Sequence, residues 1–167
     1  MTYFKDLTKY SYNHDKEIDN TINIGWLNED HFFDTEEPSD EVLANLWDFC
    51  KISVIQTRGL HECEFCTSGD FAQEEREGLK LALGSSEIRV FTSYGTSFAA
   101  PTLIYHYVKK HHYKLPVEFV TALINGPKPP DTVYFKLLKE EGLNWTNTHF
   151  FEEHAETYSV KGIFKRK

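Results

Sequence analysis

The segment from His61 to Cys66 contains the residue types with the most chemical potential in the sequence. It reads His-Glu-Cys-Glu-Phe-Cys. Two cysteines separated by two residues can direct both thiolates at one centre from a tight turn, as tetrahedral Zn²⁺ requires. His61 lies two residues before Cys63, so its imidazole is within reach of the same ion. The pattern predicts half of a zinc site, formed by His61, Cys63 and Cys66.

The rest of this site must come from a distant part of the chain. A cysteine knuckle followed by a β-hairpin and a helix is the element order of a treble-clef zinc finger, in which the start of the helix supplies further ligands. The helix predicted to begin near Pro101 carries His106 one turn in, with His111 and His112 at its end. His106 is the predicted partner, although the 39 residues between Cys66 and His106 exceed what a compact finger needs.

Three alternatives to a structural zinc site remain open. Glu62 and Glu64 flank the cysteines and are expected to raise their thiol pKa, which disfavours a redox CxxC unless a bound cation overcomes the effect. A catalytic zinc is the second, but the HExxH pattern that His61 begins has Phe at position 65, and the deaminase pattern also fails. The third is a pair of reduced cysteines packed beneath a loop. Structural zinc is the preferred interpretation.

Composition limits the class of protein. The chain has 167 residues, the size of one domain, and a formal net charge of −8. Phosphate backbones repel so acidic a chain, which disfavours nucleic-acid binding. The sequence has no apolar run of the about 20 residues that span a bilayer, and its N-terminus lacks the apolar core of a secretion signal. The expectation is a cytoplasmic protein with reduced cysteines, no membrane and no nucleic acid.

The pattern of secondary structure predicts a single α+β domain. Ser39 is placed to cap a helix whose apolar positions recur at helical spacing up to Cys50, which is expected to pack in the core. Helices are predicted at residues 40–50, 102–110, 116–125 and 131–141. Strands are predicted at 21–27, 54–57, 78–84, 87–91 and 97–100. Strand 87–91 is expected to pair with 78–84 and to form a hairpin with 97–100 through the turn at residues 93–96.

A proline-rich break divides the chain. Residues 127–130 read Pro-Lys-Pro-Pro, a stiff segment. It separates a predicted zinc-knuckle α+β domain, residues 1–126, from a predicted C-terminal helical extension, residues 127–167, packed on it.

A long acidic stretch resists a simple account. From Glu17 to Cys50, both included, the chain has ten acidic residues, neither Lys nor Arg, and interleaved aromatics. Charge steers encounters with a basic protein, and aromatic side chains anchor them. The predicted partner-binding residues are Asp30, Phe32, Phe33, Glu36, Glu37, Asp40 and Glu41. The alternative is a solvated acidic surface over ordinary core aromatics.

Five segments together carry a family resemblance. They are YFKDLT (residues 3–8) with Tyr10, NIGWL (23–27), QTRGLHECEFC (56–66), EIRV (87–90) and AAPTLIYHYV (99–108). They resemble a bacterial domain family of unknown function, over about residues 1–126. The resemblance implies that His61, Cys63, Cys66 and His106 belong to a shared pattern, and it implies no activity.

Hypotheses of different classes follow. The first is a binding protein whose partner is a basic protein, such as an immunity protein that neutralises a toxin domain; small size, acidity and the lack of a catalytic motif favour it. The alternative is a zinc-dependent hydrolase with Glu62 or Glu64 as general base. A third is a structural or regulatory module held by zinc. A fourth protein ligand on zinc favours the first hypothesis over the hydrolase, which needs an open position.

Overall fold

A computed structural model describes residues 2–12, 20–67, 69 and 71–147. In these parts of the chain, helices pack with a five-stranded sheet and a two-stranded hairpin, which confirms the α+β prediction. The helices are α1 (Asp40–Lys51), α2 (Ile104–His111), α3 (Val117–Asn125) and α4 (Thr132–Glu140). The strands are β1 (Thr21–Asn23), β2 (Ile52–Val54), β3 (Gln73–Arg76), β4 (Leu79–Ala82), β5 (Glu87–Phe91), β6 (Ser97–Pro101) and β7 (Trp145–Asn147).

The large sheet has the strand order β1-β6-β5-β2-β7. The predicted hairpin of β5 and β6 forms its centre, with Arg89 opposite Ala99. Strand β1 joins β6 in parallel, and β2 pairs with β5 and β7 in antiparallel fashion. The sheet therefore combines one local hairpin with pairings between distant segments.

The predicted pairing of residues 78–84 with 87–91 is wrong. Strand β4 pairs instead with β3, in a separate hairpin. Glu77 and Gly78, which connect the two strands, both have positive φ, 54° and 78°. Two such residues in succession form the two-residue turn that matches the twist of a hairpin, so β4 turns back onto the strand before it.

The four helices lie close to their predicted positions. Helix α1 begins after Ser39, whose Oγ accepts a hydrogen bond from the Val42 N–H at 3.2 Å. Helix α2 begins only at Ile104, because Pro101 still belongs to β6 and lies opposite Glu87. It ends at His111, because the left-handed backbone of the following residue, His112 (φ 56°), terminates the helix.

The sheet separates a large core from a small one. The main core joins the helices to one face of the central hairpin, with Ile88, Val90, Phe98 and Ala100. Side chains alternate between faces along a strand, so Ala99 points to the opposite face. There it packs with Tyr10 and Trp26 from the N-terminal segment.

A buried ion pair joins this smaller core to the sheet. Arg89 donates to Glu87 at 2.7 Å, and both side chains are almost fully buried. The Tyr10 hydroxyl donates to the same carboxylate at 2.8 Å, while the Arg89 guanidinium lies 4.7 Å from the Tyr10 ring centroid. Burial raises the pKa of Glu87 although Arg89 and Tyr10 oppose the shift. The Nε of Arg89 also lies 3.5 Å from Glu141.

The segment beyond the proline-rich break adds both a helix and a strand. Tyr134 in α4 donates a hydrogen bond to the Arg89 carbonyl at 3.1 Å, and β7 extends the sheet beside β2. The predicted helical extension thus contributes a sheet strand as well; residues 148–167 lie outside the described residues. Among the described residues, no helix is both long and apolar enough to cross a bilayer.

Candidate metal centre

Two cysteines and two histidines converge at one point. The donor atoms of Cys63, Cys66, His106 and His111 all lie within 4.8 Å of one another. The Cys66 Sγ is 3.3 Å from His106 Nε2 and 3.4 Å from His111 Nε2, and the Cys63 Sγ is 3.3 Å from His111 Nε2. A tetrahedral zinc with Zn–S of about 2.3 Å and Zn–N of about 2.0 Å separates sulfur from nitrogen by about 3.5 Å. These three sulfur–nitrogen distances therefore match those around a zinc ion.

A tight turn presents both thiols to this point. The Cys66 N–H donates to the Cys63 carbonyl at 3.3 Å, which closes the turn between them. Just before it, the His61 N–H donates to the Gly84 carbonyl at 2.9 Å. Gly84 has φ 104°, and a Cβ there would collide with the His61 carbonyl. The close approach of these two backbones therefore fixes where the cysteine turn begins.

His106 is held by a carboxylate behind it. Its Nδ1 lies 2.8 Å from Glu74 Oε1 in β3, and Lys109 Nζ donates to Glu74 Oε2 at 2.8 Å. Burial favours a higher pKa for Glu74, but the hydrogen bonds to His106 and Lys109 outweigh it and lower that pKa. An ionised Glu74 keeps the proton of His106 on Nδ1 and leaves the Nε2 lone pair facing Cys66, the carboxylate–histidine arrangement common behind metal ligands.

His111 approaches the thiols from the last residue of α2. Burial, together with repulsion from His106 and His112, lowers its pKa. His111 is therefore neutral at pH 7, the form that binds a metal. The Phe65 ring lies 5.5 Å from the His111 ring and packs beside it.

The Cys63 thiol is a weak nucleophile in the absence of a metal ion. Burial raises its pKa to about 11, with a smaller contribution from Cys66. Burial is thus the largest cause, ahead of the acidic neighbours Glu62 and Glu64 expected from the sequence. A protonated thiol at neutral pH is a poor nucleophile, whereas a metal ion would displace its proton.

The cluster differs from the sequence-based prediction at one position. Cys63, Cys66 and His106 lie together as expected, but the fourth member is His111 and not His61. His61 instead lines a small cleft with Tyr12, Trp26 and Glu87, because its backbone is held against Gly84. The signal for His111 was its position at the end of the helix that carries His106; whether the arrangement is of the treble-clef type stays a prediction.

The aromatic residues of the acidic stretch divide sharply between core and surface. Trp26, Trp47 and Phe49 are buried in the core. Phe33 is half-buried, and its ring packs edge-on against Phe65 at 5.2 Å. Phe32 is fully exposed. Only Phe32, among these five residues, is available as a surface anchor.

The acidic residues of the stretch form two groups, those with a basic side chain nearby and those without one. Glu36 lies 3.8 Å from Lys114, Glu37 lies 3.0 Å from His112, and Asp40 lies 3.1 Å from Arg76. Four other exposed acids have no cationic partner within the described ranges, namely Glu29, Asp30, Asp34 and Glu41. Two further acids of the stretch, Glu17 and Asp19, lie outside the described residues.

The fold and the site together define a small α+β protein with a candidate Cys₂His₂ metal centre. A protein-family model described as a domain of unknown function (DUF7919) matches residues 2–124. The chain belongs to this family, which confirms the predicted membership in a family of unknown function. No curated protein and no solved structure is significantly similar to the chain.

Proposed function

We propose that this protein binds one zinc ion in a structural site formed by Cys63, Cys66, His106 and His111. The observation that carries the proposal is the convergence of four donors, all within 4.8 Å of one another. Two thiolates and two imidazoles are a donor set typical of zinc, since Mg²⁺ and Ca²⁺ prefer oxygen ligands. The thiols require a reducing compartment, and the cytoplasm is the one we propose.

The same geometry favours a structural over a catalytic role. Four protein ligands complete a tetrahedron, whereas a catalytic zinc keeps one position for water or substrate. Glu74, the buried acid nearest the cluster, is occupied by His106 and Lys109. Glu62 and Glu64, considered above as general bases, are exposed. In the hydrolase alternative, the proposed zinc would have no open position, and among the described residues no buried acid beside it is placed to act as a base.

Metal analysis of variants tests the ligand set. Protein purified without chelator is expected to contain about one zinc per chain. His111→Gln is expected to lower the zinc affinity at least about tenfold, because it removes one ligand. His61→Gln serves as the matched control and is expected to retain full stoichiometry and affinity. Wild-type protein without zinc, or a larger loss for His61→Gln than for His111→Gln, contradicts the proposal.

Protein binding is a second candidate function, favoured by the exposure of Phe32 beside uncompensated acids. An exposed aromatic side chain flanked along the chain by acidic residues suits a basic partner with an apolar pocket. A toxin domain, such as a basic nuclease, is the partner class proposed, and the chain would act as its immunity protein. Glu29, Asp30 and Asp34 supply the charge nearest to Phe32 along the chain.

Association kinetics with a panel of basic toxin domains test this candidate. A true partner is expected to associate more slowly as salt rises, because screening shortens the reach of charge to about 8 Å at physiological ionic strength. Replacing Glu29, Asp30 and Asp34 by amides is expected to slow association. Phe32→Ala is expected to speed dissociation, with the exposed Tyr94→Ala as control. A partner whose association rate does not depend on salt and whose dissociation rate is unchanged by Phe32→Ala contradicts binding at this surface.

A further inference from the structure

We propose that the metal centre assembles the protein-binding surface, so that only the zinc-loaded chain presents Phe32 to its basic partner. This inference rests on both functions proposed above. The surface is carried by residues 28–37, hereafter the acidic loop, which has no helix or strand of its own. The contacts that hold this loop in place therefore determine whether the partner finds a formed binding surface.

One set of contacts ties the acidic loop to the cysteine turn. The Glu29 N–H donates to Glu64 Oε2 at 3.1 Å. Phe33 packs edge-on against Phe65, with ring centroids 5.2 Å apart. Glu64 and Phe65 are the two residues between Cys63 and Cys66, so both contacts fall between the two thiol ligands.

A second set ties the loop to the end of α2, directly after His111. The Glu36 N–H donates to the His112 carbonyl at 2.8 Å, and the Lys114 N–H donates to the Asp34 carbonyl at 2.8 Å. The Phe33 ring also packs against Tyr113, with centroids 5.6 Å apart. These contacts fall within three residues of a third metal ligand.

The acidic loop therefore spans the two segments that the metal joins. Phe33 packs against both, through Phe65 on the cysteine turn and Tyr113 beyond α2. When the turn and the helix end are held together, Phe33 and the loop backbone have a fixed site to occupy. Zinc–ligand bonds contribute about 10–16 kcal/mol at structural sites in small domains, far more than the loop's few hydrogen bonds. Release of the metal lets the two segments separate and leaves the loop without a common support.

The surface held in this way has the chemistry of a site for a basic protein. Phe32 points into solvent, and Glu29, Asp30 and Asp34 are exposed without a cationic partner among the described residues. A fixed loop binds more tightly than a mobile one, because its ordering entropy is not lost on association. Zinc occupancy and partner affinity are then coupled, and each must raise the other by the same factor.

Hydrogen exchange of the full chain, with and without Zn²⁺, tests the coupling without a partner. Chelation is expected to speed amide exchange in the acidic loop at least about tenfold, toward the rate of an unprotected chain, while the β5–β6 hairpin still exchanges more slowly than the loop. If the chain binds zinc but loop exchange is unchanged by chelation, the coupling is overturned and the metal site stands. If the chain binds no zinc, the proposed metal function itself fails.

If chelation unfolds the whole chain, a variant measured in its zinc-loaded state tests the coupling instead. Phe33→Leu removes the ring contacts with Phe65 and Tyr113 and leaves all four ligands, and the ring that packs beside His111, in place. It is expected to bind zinc stoichiometrically yet show about tenfold faster exchange in the acidic loop. The matched control is Phe71→Leu, a partly exposed phenylalanine outside these contacts, which is expected to change neither. Unchanged loop exchange in zinc-loaded Phe33→Leu overturns the inference.

Discussion

Cys63→Ser is expected to lower the melting temperature of the protein by more than about 10 °C. The Cys63 thiol is one of four converging donors, and the free energy of metal binding at a structural site is folding free energy. A loss of several kcal/mol corresponds to a shift of about 2–4 °C per kcal/mol for a chain of this size. Thermal unfolding followed by circular dichroism, with and without chelator, measures the effect.

Two features of this experiment separate metal binding from packing. Chelator is expected to lower the melting temperature of the wild type and to leave that of Cys63→Ser unchanged, because the variant has little metal to lose. Cys50→Ala is the matched control, since Cys50 is buried in α1 away from the cluster. It is expected to lose packing free energy while retaining both zinc and the response to chelator. A Cys63→Ser variant that melts like the wild type contradicts a structural site.

Arg89→Met is expected to destabilise the fold by about 3–5 kcal/mol, because it leaves the carboxylate of Glu87 buried without its cation. Arg89 donates to Glu87 at 2.7 Å and is fully buried. Burial already raises the pKa of Glu87, so loss of the guanidinium is expected to leave this side chain protonated in the folded state. Urea unfolding near neutral pH measures the loss in free energy.

A double variant identifies the cause of that loss. Arg89→Met with Glu87→Gln removes both charges and is expected to recover part of the stability, since the amide that replaces the Glu87 carboxylate takes up no proton on folding. Lys80→Met breaks the exposed pair with Glu75 and is expected to cost under about 1 kcal/mol. Equal effects of Arg89→Met and Lys80→Met would falsify the assignment of a buried, interdependent pair.

Local signals in the sequence predicted most of the secondary structure. The Ser39 cap and the apolar stripe of α1 are properties of neighbouring residues, and so is the turn of the β5–β6 hairpin. The partner of β4 was not predictable from alternation, which marks a strand but not what it pairs with. The turn at Glu77 and Gly78 decides that pairing, and a positive φ at Glu77 is not evident from its residue type.

The candidate metal site could likewise be predicted only as far as local sequence signals allow. The spacing of Cys63 and Cys66 is local and could be identified from the sequence, and the helix that carries His106 could be placed. Choosing between His61 and His111 required the path of the backbone. His61 is directed elsewhere by its hydrogen bond to Gly84, 23 residues along the chain. Proximity in sequence favoured His61, which lies outside the cluster.

Composition likewise identified the acidic stretch without revealing its surface. The cations that compensate Glu36 and Asp40 are Lys114 and Arg76, and Glu37 lies beside the His112 imidazole; all three partners are distant in the sequence. The aromatic residues of the stretch range from fully buried to fully exposed. Which of them is exposed depends on tertiary packing.

The placement of the four candidate ligands in two pairs would make a bound metal ion a cross-link in the polymer sense. It would close a loop with 39 residues between Cys66 and His106, a segment that contains both hairpins. Closing a loop of this size restricts the unfolded chain by about 4 kcal/mol in the chain-entropy treatment of cross-links. Because this quantity grows only logarithmically, doubling the loop changes it by about 0.6 kcal/mol. The turn at Glu77 and Gly78 can therefore lengthen by many residues while the cross-link keeps nearly all of its stabilising effect.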